Sequence, residues 1–252
     1  MSKKALVTGA SEGIGRVFAK KLAAEGFLVT AVARNEALLK SLMTEIKGGH
    51  DYLVADLSRE DGQKLVAKRL EQGYQLLVNN AGVGVVGEFT SSSLTNQINM
   101  MHLNCDALVY LSHEFLKHSK GGDALLNVSS CLAFTASPGM SVYAATKAFV
   151  SSFSDALWFE QKKRGVYVMG LCPGITSTRF QVSAGGSLDD LPKNLAQTPE
   201  EVVAVALEHL KWRCKSTVIS GVKNKIFSFI MSRLFSRKVS ASMMGNMMKM
   251  RK

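Results

Sequence analysis

The chain of 252 residues is 46% apolar and 20% charged, which suits one large α/β domain and is not obviously enough for two. No uncharged apolar run approaches the ~20 residues that a membrane-spanning helix needs, so no spanning helix is expected. The formal net charge of +11 falls to +3 once residues 221–252, with eight basic residues and no acid, are set aside. The basic character therefore belongs to a C-terminal tail.

The amino terminus reads MSKKALVTGA, a positive start followed by an apolar run that ends at Thr8 and Gly9. This run is too short for the apolar part of a signal peptide, so we expect the protein to stay in the cytoplasm. The four cysteines lack CxxC spacing and the five histidines form no ligand pattern. Reduced thiols and no catalytic metal are therefore expected.

Seven short β-branched or apolar runs alternate with longer stretches of helical period. They read KALVT, FLVTAVA, YLVA, QLLVNN, ALLNVSS, VYVMGL and TVIS. Alternation of this kind predicts βαβ units, and hence a doubly wound parallel sheet with helices on both faces. Because ligands of such sheets bind beyond the carboxyl ends of the strands, motif residues should gather there.

The first run leads into TGASEGIG, residues 8–15. Gly9 permits a tight turn, Gly13 lets the backbone approach a pyrophosphate, and Gly15 lets the next helix pack closely on the sheet. The amino terminus of that helix would face the phosphates. Its position between a strand and a helix gives this motif the context that dinucleotide binding requires.

The second run ends in AVARN, where NAD-binding folds of this type usually carry an acid that accepts from the ribose 2′-hydroxyl. Ala33 stands at the position expected for that acid, and Arg34 follows it. The planar guanidinium group of Arg34 fits a 2′-phosphate. An arginine that is simply solvated at the start of the next helix would give the same sequence. The pattern favours NADP(H) over NAD(H).

The stretch SVYAATK places Tyr143 four residues before Lys147, on one face of a helix. A phenol titrates near ~10 and needs a nearby cation to become an acid or base at neutral pH. Such a pair is common by chance, with the tyrosine in a core and the lysine in solvent. The pair gains meaning only beside a cofactor site.

Together these motifs resemble the short-chain dehydrogenase/reductase family from residue 8 to about residue 221. The further landmarks are Asp56 in VADLS, NNAG at residues 79–82, Asn104 in HLNCDA, Ser130 in NVSS and PGITST at residues 173–178. All of them occur in family order. The resemblance implies a Rossmann fold, with residues 1–221 as one dinucleotide-binding and catalytic domain and residues 222–252 as a basic amphipathic helical tail.

The resemblance also implies roles for four catalytic residues. Tyr143 would be the general acid or base, and Lys147 would hold the nicotinamide ribose and lower the pKa of Tyr143. Ser130 would hydrogen-bond the substrate oxygen, with Ser129 as a competing candidate whose side chain should point the other way. Asn104 would hold a water that connects Lys147 to solvent.

The same resemblance implies a set of residues that bind NADP(H). They are Gly9, Ser11, Glu12, Gly13, Ile14, Gly15, Arg34, Asp56, Leu57, Asn80, Ala81, Gly82, Tyr143, Lys147, Pro173, Gly174, Ile175 and Thr178. For Asn80, bracing the fourth strand beside the glycine turn is an alternative that is compatible with cofactor contact.

The residues expected to rim the substrate site are mostly apolar. They are Gly84, Val85, Val86, Cys131, Leu132, Ala133, Phe134 and Met140. An apolar rim favours a hydrophobic carbonyl compound, and the resemblance makes the long connection 175–197 the substrate lid. A 3-oxoacyl thioester, a steroid-like ketone and a small aldehyde all remain open.

An NADPH-dependent carbonyl reductase or alcohol dehydrogenase is therefore expected, acting on a small molecule. A non-catalytic NADP(H)-binding sensor or scaffold is the alternative, but it would have no catalytic need for Ser130, Tyr143 and Lys147 together. Nucleic-acid binding through the tail is not expected, because the tail lacks the aromatic-rich motifs of the usual modules.

Drawn as one helix, the tail has an apolar and a polar face. The apolar face comprises Ile226, Phe227, Ile230, Met231, Leu234 and Phe235; opposite lie Lys225, Ser228, Ser232 and Ser236. Val239, Met243, Met244, Met247 and Met248 continue the apolar spacing. We expect the tail to fold over the subunit near the lid or a dimer contact, with peripheral attachment to an anionic membrane as the alternative. The resemblance also implies a homodimer or homotetramer, paired through the helices that carry Asn104 and Tyr143.

Overall fold

The computed structural model describes residues 3–185 and 196–247, and within them seven strands form one parallel sheet. The strands are β1 (Lys4–Thr8), β2 (Leu28–Ala33), β3 (Asp51–Val54), β4 (Leu76–Asn79), β5 (Ala124–Val128), β6 (Tyr167–Cys172) and β7 (Thr217–Ile219). Their spatial order is β3-β2-β1-β4-β5-β6-β7. Every run predicted to be a strand overlaps one, and the doubly wound parallel sheet is confirmed.

Helices connect the strands and cover both faces of the sheet. They are α1 (Gly13–Ala24), α2 (Glu36–Ile46), α3 (Glu60–Leu70), α4 (Leu94–Met101), α5 (Ala107–His118), α6 (Ser141–Gln161), α7 (Phe180–Ser183), α8 (Pro199–Trp212), α9 (Val222–Phe229) and α10 (Arg237–Met247). On one face, residues of α1, α2 and α8 such as Phe18 and Leu39 pack on the sheet, and on the other Leu70 and Leu111 do so from α3 and α5. Each such buried side chain contributes roughly 1.5–3 kcal/mol.

The strand order reverses between β1 and β4, which are neighbours in the sheet. The connection after β1 leads towards β2, whereas the connection after β4 leads towards β5. A crevice therefore opens beyond the carboxyl ends of these two strands, where open α/β sheets bind their ligands. The glycine-rich turn and the NNAG motif both lie at this place.

The tail forms α9, a π-helical turn (Ile230–Leu234) and α10, and one side of it is buried. The predicted faces are correct for Met231, which is buried, and for Ser232, which is exposed, but wrong at other positions. Ser228 is buried at 2% exposure, whereas Ile226 and Leu234 are 55% and 64% exposed. A small serine lets α9 approach the turn at Cys131–Phe134, and the π-helical turn breaks the helical period on which the prediction relied. Met248 lies outside the described residues.

Candidate active site

The turn after β1 is closely packed against its surroundings. A Cβ atom on Gly9 would lie 2.8 Å from Nδ2 of Asn80, and one on Gly15 would lie 2.2 Å from the carbonyl oxygen of Gly9. Gly9 and Gly13 also have positive φ angles of 65° and 55°. The side chain of Glu12 makes no capping hydrogen bond to α1, so its first-turn N–H groups are available to an anion. This cradle fits the pyrophosphate of a dinucleotide.

Hydrogen bonds tie the glycine turn to the motif after β4. The amide of Asn80 donates to the carbonyl oxygens of Thr8 at 2.9 Å and Gly9 at 3.2 Å. The Thr8 hydroxyl oxygen accepts from the backbone N–H groups of Asn80 and Ala81, each at 3.0 Å. Asn80 therefore braces the glycine turn, which is the alternative role given for it in the sequence analysis. The part played by the Thr8 side chain was not predicted.

The other residues of the glycine motif are held by neighbours that the motif does not include. The guanidinium of Arg16 donates to the Ser11 carbonyl oxygen at 3.1 Å, and that of Arg179 donates to Glu12 at 3.3 Å. Ile14 packs partly buried against the core. These contacts fix the backbone of the turn, and the second one links it to the segment before α7.

The carboxyl ends of β2 and β3 carry the predicted adenosine contacts. Ala33 is buried and Arg34 is exposed at the end of β2. The carboxylate of Asp56 accepts hydrogen bonds from the backbone and side chain of Ser58 at 3.0 and 2.7 Å. The side chain of Leu57 is in the core at 4% exposure, so a ligand could contact only the backbone of Leu57.

Ser130, Tyr143 and Lys147 come together beyond the end of β5. Ser130 precedes the turn at Cys131–Phe134, and its hydroxyl oxygen accepts from the Leu132 N–H group at 3.2 Å and lies near Tyr143 on α6. The ammonium nitrogen of Lys147 lies 5.7 Å from the centre of the Tyr143 ring and donates to the Val128 carbonyl oxygen at 2.9 Å. Ser129 is directed elsewhere, because its hydroxyl group donates to the Lys147 carbonyl oxygen at 2.7 Å.

Burial dominates the titration of this pair. It raises the pKa of Tyr143 to about 12, against the nearby Ser130 hydroxyl group, which acts to lower it. It lowers the pKa of Lys147 to about 8. The pKa of Tyr143 was expected to be lowered, and in the structure it is raised. Burial destabilises the phenolate more than the nearby Ser130 hydroxyl group stabilises it. A protonated Tyr143 at neutral pH is a group ready to donate a proton.

Asn104 lies in a π-helical turn (His102–Asp106) between α4 and α5, a feature often found at functional sites. Its amide exchanges two hydrogen bonds of 3.0 Å with the Val83 backbone and donates to the Thr146 hydroxyl oxygen at 3.1 Å. A Cβ atom on Gly82 would lie 3.1 Å from Oδ1 of Asn104 and 3.4 Å from the Lys147 ammonium nitrogen. The NNAG motif thus reaches the catalytic pair, while the water relay stays a prediction.

The PGITST loop is held by residues that the sequence did not identify. A Cβ atom on Gly174 would lie 2.2 Å from Nδ2 of Asn224, the third residue of α9. That amide donates to the Ser220 carbonyl oxygen at 2.8 Å and to the Gln197 side chain at 3.1 Å. Gln197 in turn joins the two ends of the predicted lid, since its backbone N–H group donates to the backbone carbonyl oxygen of Ile175 at 2.8 Å. The asparagine gave no signal in the sequence because it forms part of no motif.

An apolar wall faces Tyr143 on the substrate side. The Phe180 ring lies 5.5 Å from the Tyr143 ring, and Met100 and Met140 are buried beside it. Phe180 begins α7, within the predicted lid, and residues 186–195 of that lid lie outside the described residues. Burial raises the pKa of Cys131 to about 12, so this neighbour of Ser130 is a protonated thiol.

Comparisons with known proteins agree with this geometry. Residues 3–187 match the family model described as short chain dehydrogenase. The chain is 33% identical over 231 residues to a 7beta-hydroxysteroid dehydrogenase of Mediterraneibacter gnavus, covering 87% of this chain and 86% of that protein. It is 31% identical to the mouse (Mus musculus) 17-beta-hydroxysteroid dehydrogenase type 3, covering 94% and 78% of the two chains. Among solved structures, a short-chain dehydrogenase from Sphingobium yanoikuyae in complex with NADPH superposes with a TM-score of 0.80 at 28% identity, covering 99% and 97%.

Proposed function

The chain belongs to the short chain dehydrogenase family, and from this premise we propose that it reduces a hydrophobic ketone to an alcohol with NADPH. It is an NADP-using oxidoreductase. The direction of reaction and the kind of substrate are the proposal. A ketone of steroid-like bulk is the favoured substrate class.

The convergence of Ser130, Tyr143 and Lys147 beyond the end of β5 is the observation that carries the proposal. Two hydroxyl groups meet where a carbonyl oxygen could accept from both, and donors set in advance towards a developing oxyanion are a main source of catalysis. The pKa of Tyr143, raised to about 12 by burial, keeps the phenol protonated and so supports donation to the product oxygen. A non-catalytic sensor would not need this pair.

The residues around the cradle would hold NADP(H) along the crevice between β1 and β4. The glycine turn and the free N–H groups of α1 suit the pyrophosphate, and Lys147 suits the ribose beside the reacting carbon. When bound, the cofactor supplies the hydride that adds to the carbonyl carbon. Tyr143 then gives its proton to the carbonyl oxygen, Ser130 steadies that oxygen, and the Lys147 ammonium group favours the phenolate that is left.

Two observations support a bulky apolar substrate. In the described part of the chain, an apolar wall beside Tyr143 is formed by Met100, Met140 and Phe180. Relatives named as dehydrogenases of hydroxysteroids match most of this chain. A small aldehyde would leave much of the wall uncovered.

A panel of ketones tests the proposal, with oxidation of NADPH as the readout. We expect turnover of at least one steroid-like ketone, and a fall in kcat of ~10²–10⁴-fold in Tyr143→Phe with cofactor affinity retained. Tyr52→Phe, which removes a hydroxyl bound to Glu36 on the edge strand β3, is the matched control and should keep its kcat. Equal rates in Tyr143→Phe and the wild type would exclude Tyr143 as the acid. Cofactor binding without turnover across the panel would favour the sensor.

Assembly and location are further parts of the proposal. The pairing surface would be formed by α4, α5 and α6, on which Ile98, Met101, Tyr110 and Phe149 are each 39–44% exposed. A dimer or tetramer would cover them, and a monomeric mass by light scattering at micromolar concentration would refute it. We also propose a catalytic body of residues 1–221, a separate tail of residues 222–252 and a cytoplasmic location.

A further inference from the structure

The tail carries the largest run of exposed apolar side chains that the function proposed above does not use. We define its outer face as Ile226, Phe229, Leu234, Phe235, Val239, Met243 and Met247, which are between 39% and 64% exposed. The spacing 226–229 follows α9, and the spacing 239–243–247 follows α10. These residues therefore form stripes along two helices, in contrast to apolar residues scattered singly over a surface.

The opposite side of the tail is fixed to the body, so the outer face is presented in a set direction. Ser228, Met231, Ser240 and Met244 are buried at 2–6% exposure. The Ser240 hydroxyl group donates to the Met231 carbonyl oxygen at 2.8 Å, which ties α10 to the turn before it. At the start of α9, Asn224 is bound to Ser220 and Gln197. The residues of the outer face are therefore exposed while the tail is packed on the body, and their exposure does not come from a detached helix.

Exposed cations accompany these stripes. Lys225, Arg233, Arg237 and Lys238 are exposed in the described part of the tail, and the sequence 221–252 contains no acid. Apolar stripes with flanking lysine and arginine are the features by which helices lie in the interface of an anionic bilayer. Phe229, at 60% exposure, suits the apolar face of such a helix, where Trp, Phe and Leu are common.

We propose that the outer face of the tail docks on the surface of an anionic lipid bilayer. Charge decides between this partner and a second copy of the chain. A two-fold contact would bring the same cationic segment of both copies together, and like charges in an interface are repulsive. An anionic headgroup layer instead complements the cations while the apolar stripes enter the acyl boundary. In the described ranges no helix has the length and hydropathy to cross a bilayer.

The position of the tail gives this docking a consequence for the active site. α9 packs beside the turn at Cys131–Phe134 that follows Ser130, and Gly245 of α10 lies against Pro138 near Met140. Docking would place these site-bordering segments close to the lipid surface. If the proposed function holds, an apolar ketone dissolved in the bilayer would have a short path to Tyr143. The docking itself does not depend on the reaction.

Co-sedimentation of the full chain with vesicles tests the proposal. We expect binding to vesicles that contain phosphatidylglycerol, little binding to pure phosphatidylcholine, and loss of binding at ~0.5 M salt. The combined variant Ile226→Ser, Phe229→Ser and Leu234→Ser should bind about tenfold less. Phe159→Ser, which changes a 72% exposed aromatic residue of α6, is the matched control and should bind as the wild type does.

Light scattering and thermal unfolding complete the test. All substituted side chains are exposed, so both variants should unfold near the wild-type temperature. No binding of the wild type to anionic vesicles would overturn the proposal, as would equal binding to the neutral ones. Loss of an oligomer in the triple variant, without vesicle binding by the wild type, would assign the face to a second copy instead.

Discussion

The glycine turn after β1 and the tail each contain a glycine within a helix, and the two glycines are under different constraints. A Cβ atom on Gly15 would lie 2.2 Å from a backbone oxygen, whereas one on Gly245 would lie 3.4 Å from the side chain of Pro138. Backbone cannot give way to an added methyl group, but an ordinary side-chain contact at 3.4 Å can accommodate it. The first region is therefore specified by steric exclusion, and the second by packing that other residues could also provide.

Hydrogen bonding differs between the regions in the same way. At the glycine turn, Asn80 and Thr8 satisfy several backbone groups at once across two strands. In the tail beyond Asn224, the bond from Ser240 to Met231 joins residues nine positions apart in the chain. A region cross-linked between distant strands requires particular residues at particular positions. Such a region produces a sequence motif, and the tail does not.

Substitution of Lys147 should give the largest changes in activity and stability, because its buried ammonium group serves catalysis and destabilises the fold. Lys147→Met should lower activity by ~10²-fold or more, since the proton transfer loses its cation. It should also raise stability by roughly 3 kcal/mol at pH 7, because the buried ammonium group has a pKa lowered to about 8 from 10.5. Activity assays and thermal unfolding of both proteins measure these changes.

The pH dependence of that gain has a definite sign. Below pH 8 the lysine is charged in both folded and unfolded chains, and the full cost of burying the charge is present. Between about pH 8 and 10.5 the unfolded chain binds the extra proton, so the wild type gains stability as pH rises. The advantage of Lys147→Met should therefore shrink over this range. An advantage that is constant with pH would show that the effect comes from packing alone.

The contrast between the two glycines can be measured directly. Gly15→Ala should destabilise the protein by ~1–3 kcal/mol and abolish tight cofactor binding, because the methyl group would meet the Gly9 carbonyl. Gly245→Ala should be neutral or stabilise by up to ~1 kcal/mol, since alanine favours the helix. Urea unfolding and titration with NADPH give both numbers. Equal effects at Gly15 and Gly245 would show that the two glycines are under the same constraint, contrary to this interpretation.

Arg34 represents a third kind of constraint, because its expected contribution to cofactor binding is electrostatic and not steric. Arg34→Ala should leave stability unchanged and reduce the preference for NADPH over NADH by about tenfold, as expected for loss of a charge-assisted hydrogen bond. Arg34→Lys keeps the charge without the planar fork and should fall between the two. Titration of both cofactors is the measurement. An unchanged ratio in Arg34→Ala would mean that another group reads the 2′-phosphate.

The smallest expected effect lies where the tail meets the cofactor loop. Gly174→Ala should cost ~1 kcal/mol or more in the wild type, because its Cβ atom would lie 2.2 Å from Asn224. In an Asn224→Ala background the same change should be nearly neutral, which gives a coupling of about 0.5–3 kcal/mol. A double-mutant cycle on unfolding and on NADPH affinity measures it. Additive effects would show that the tail does not hold this loop.

Prediction from the sequence succeeded at the glycine turn and only in part in the tail, for the reasons that the comparison gives. Gly9, Gly13 and Gly15 are needed by backbone geometry, so their spacing is visible in the sequence. The predicted faces of the tail assumed one regular helix with its polar side in water. The π-helical turn at Ile230–Leu234 and the inward Ser228 depend on the shape of the surface beneath, which no periodicity records.

The parallel sheet, the strand ends where the motifs lie and the spacing of Tyr143 and Lys147 could be predicted from the residues alone, since they follow from short-range sterics and helical period. The folded chain was needed to show that Asn224 and Gln197 hold the PGITST loop, that Phe180 lies beside Tyr143 and that burial sets the pKa of the catalytic pair. Contacts between distant segments and the removal of water are properties of the assembled chain. They depend on which surfaces meet, and a local pattern of residues does not contain that information.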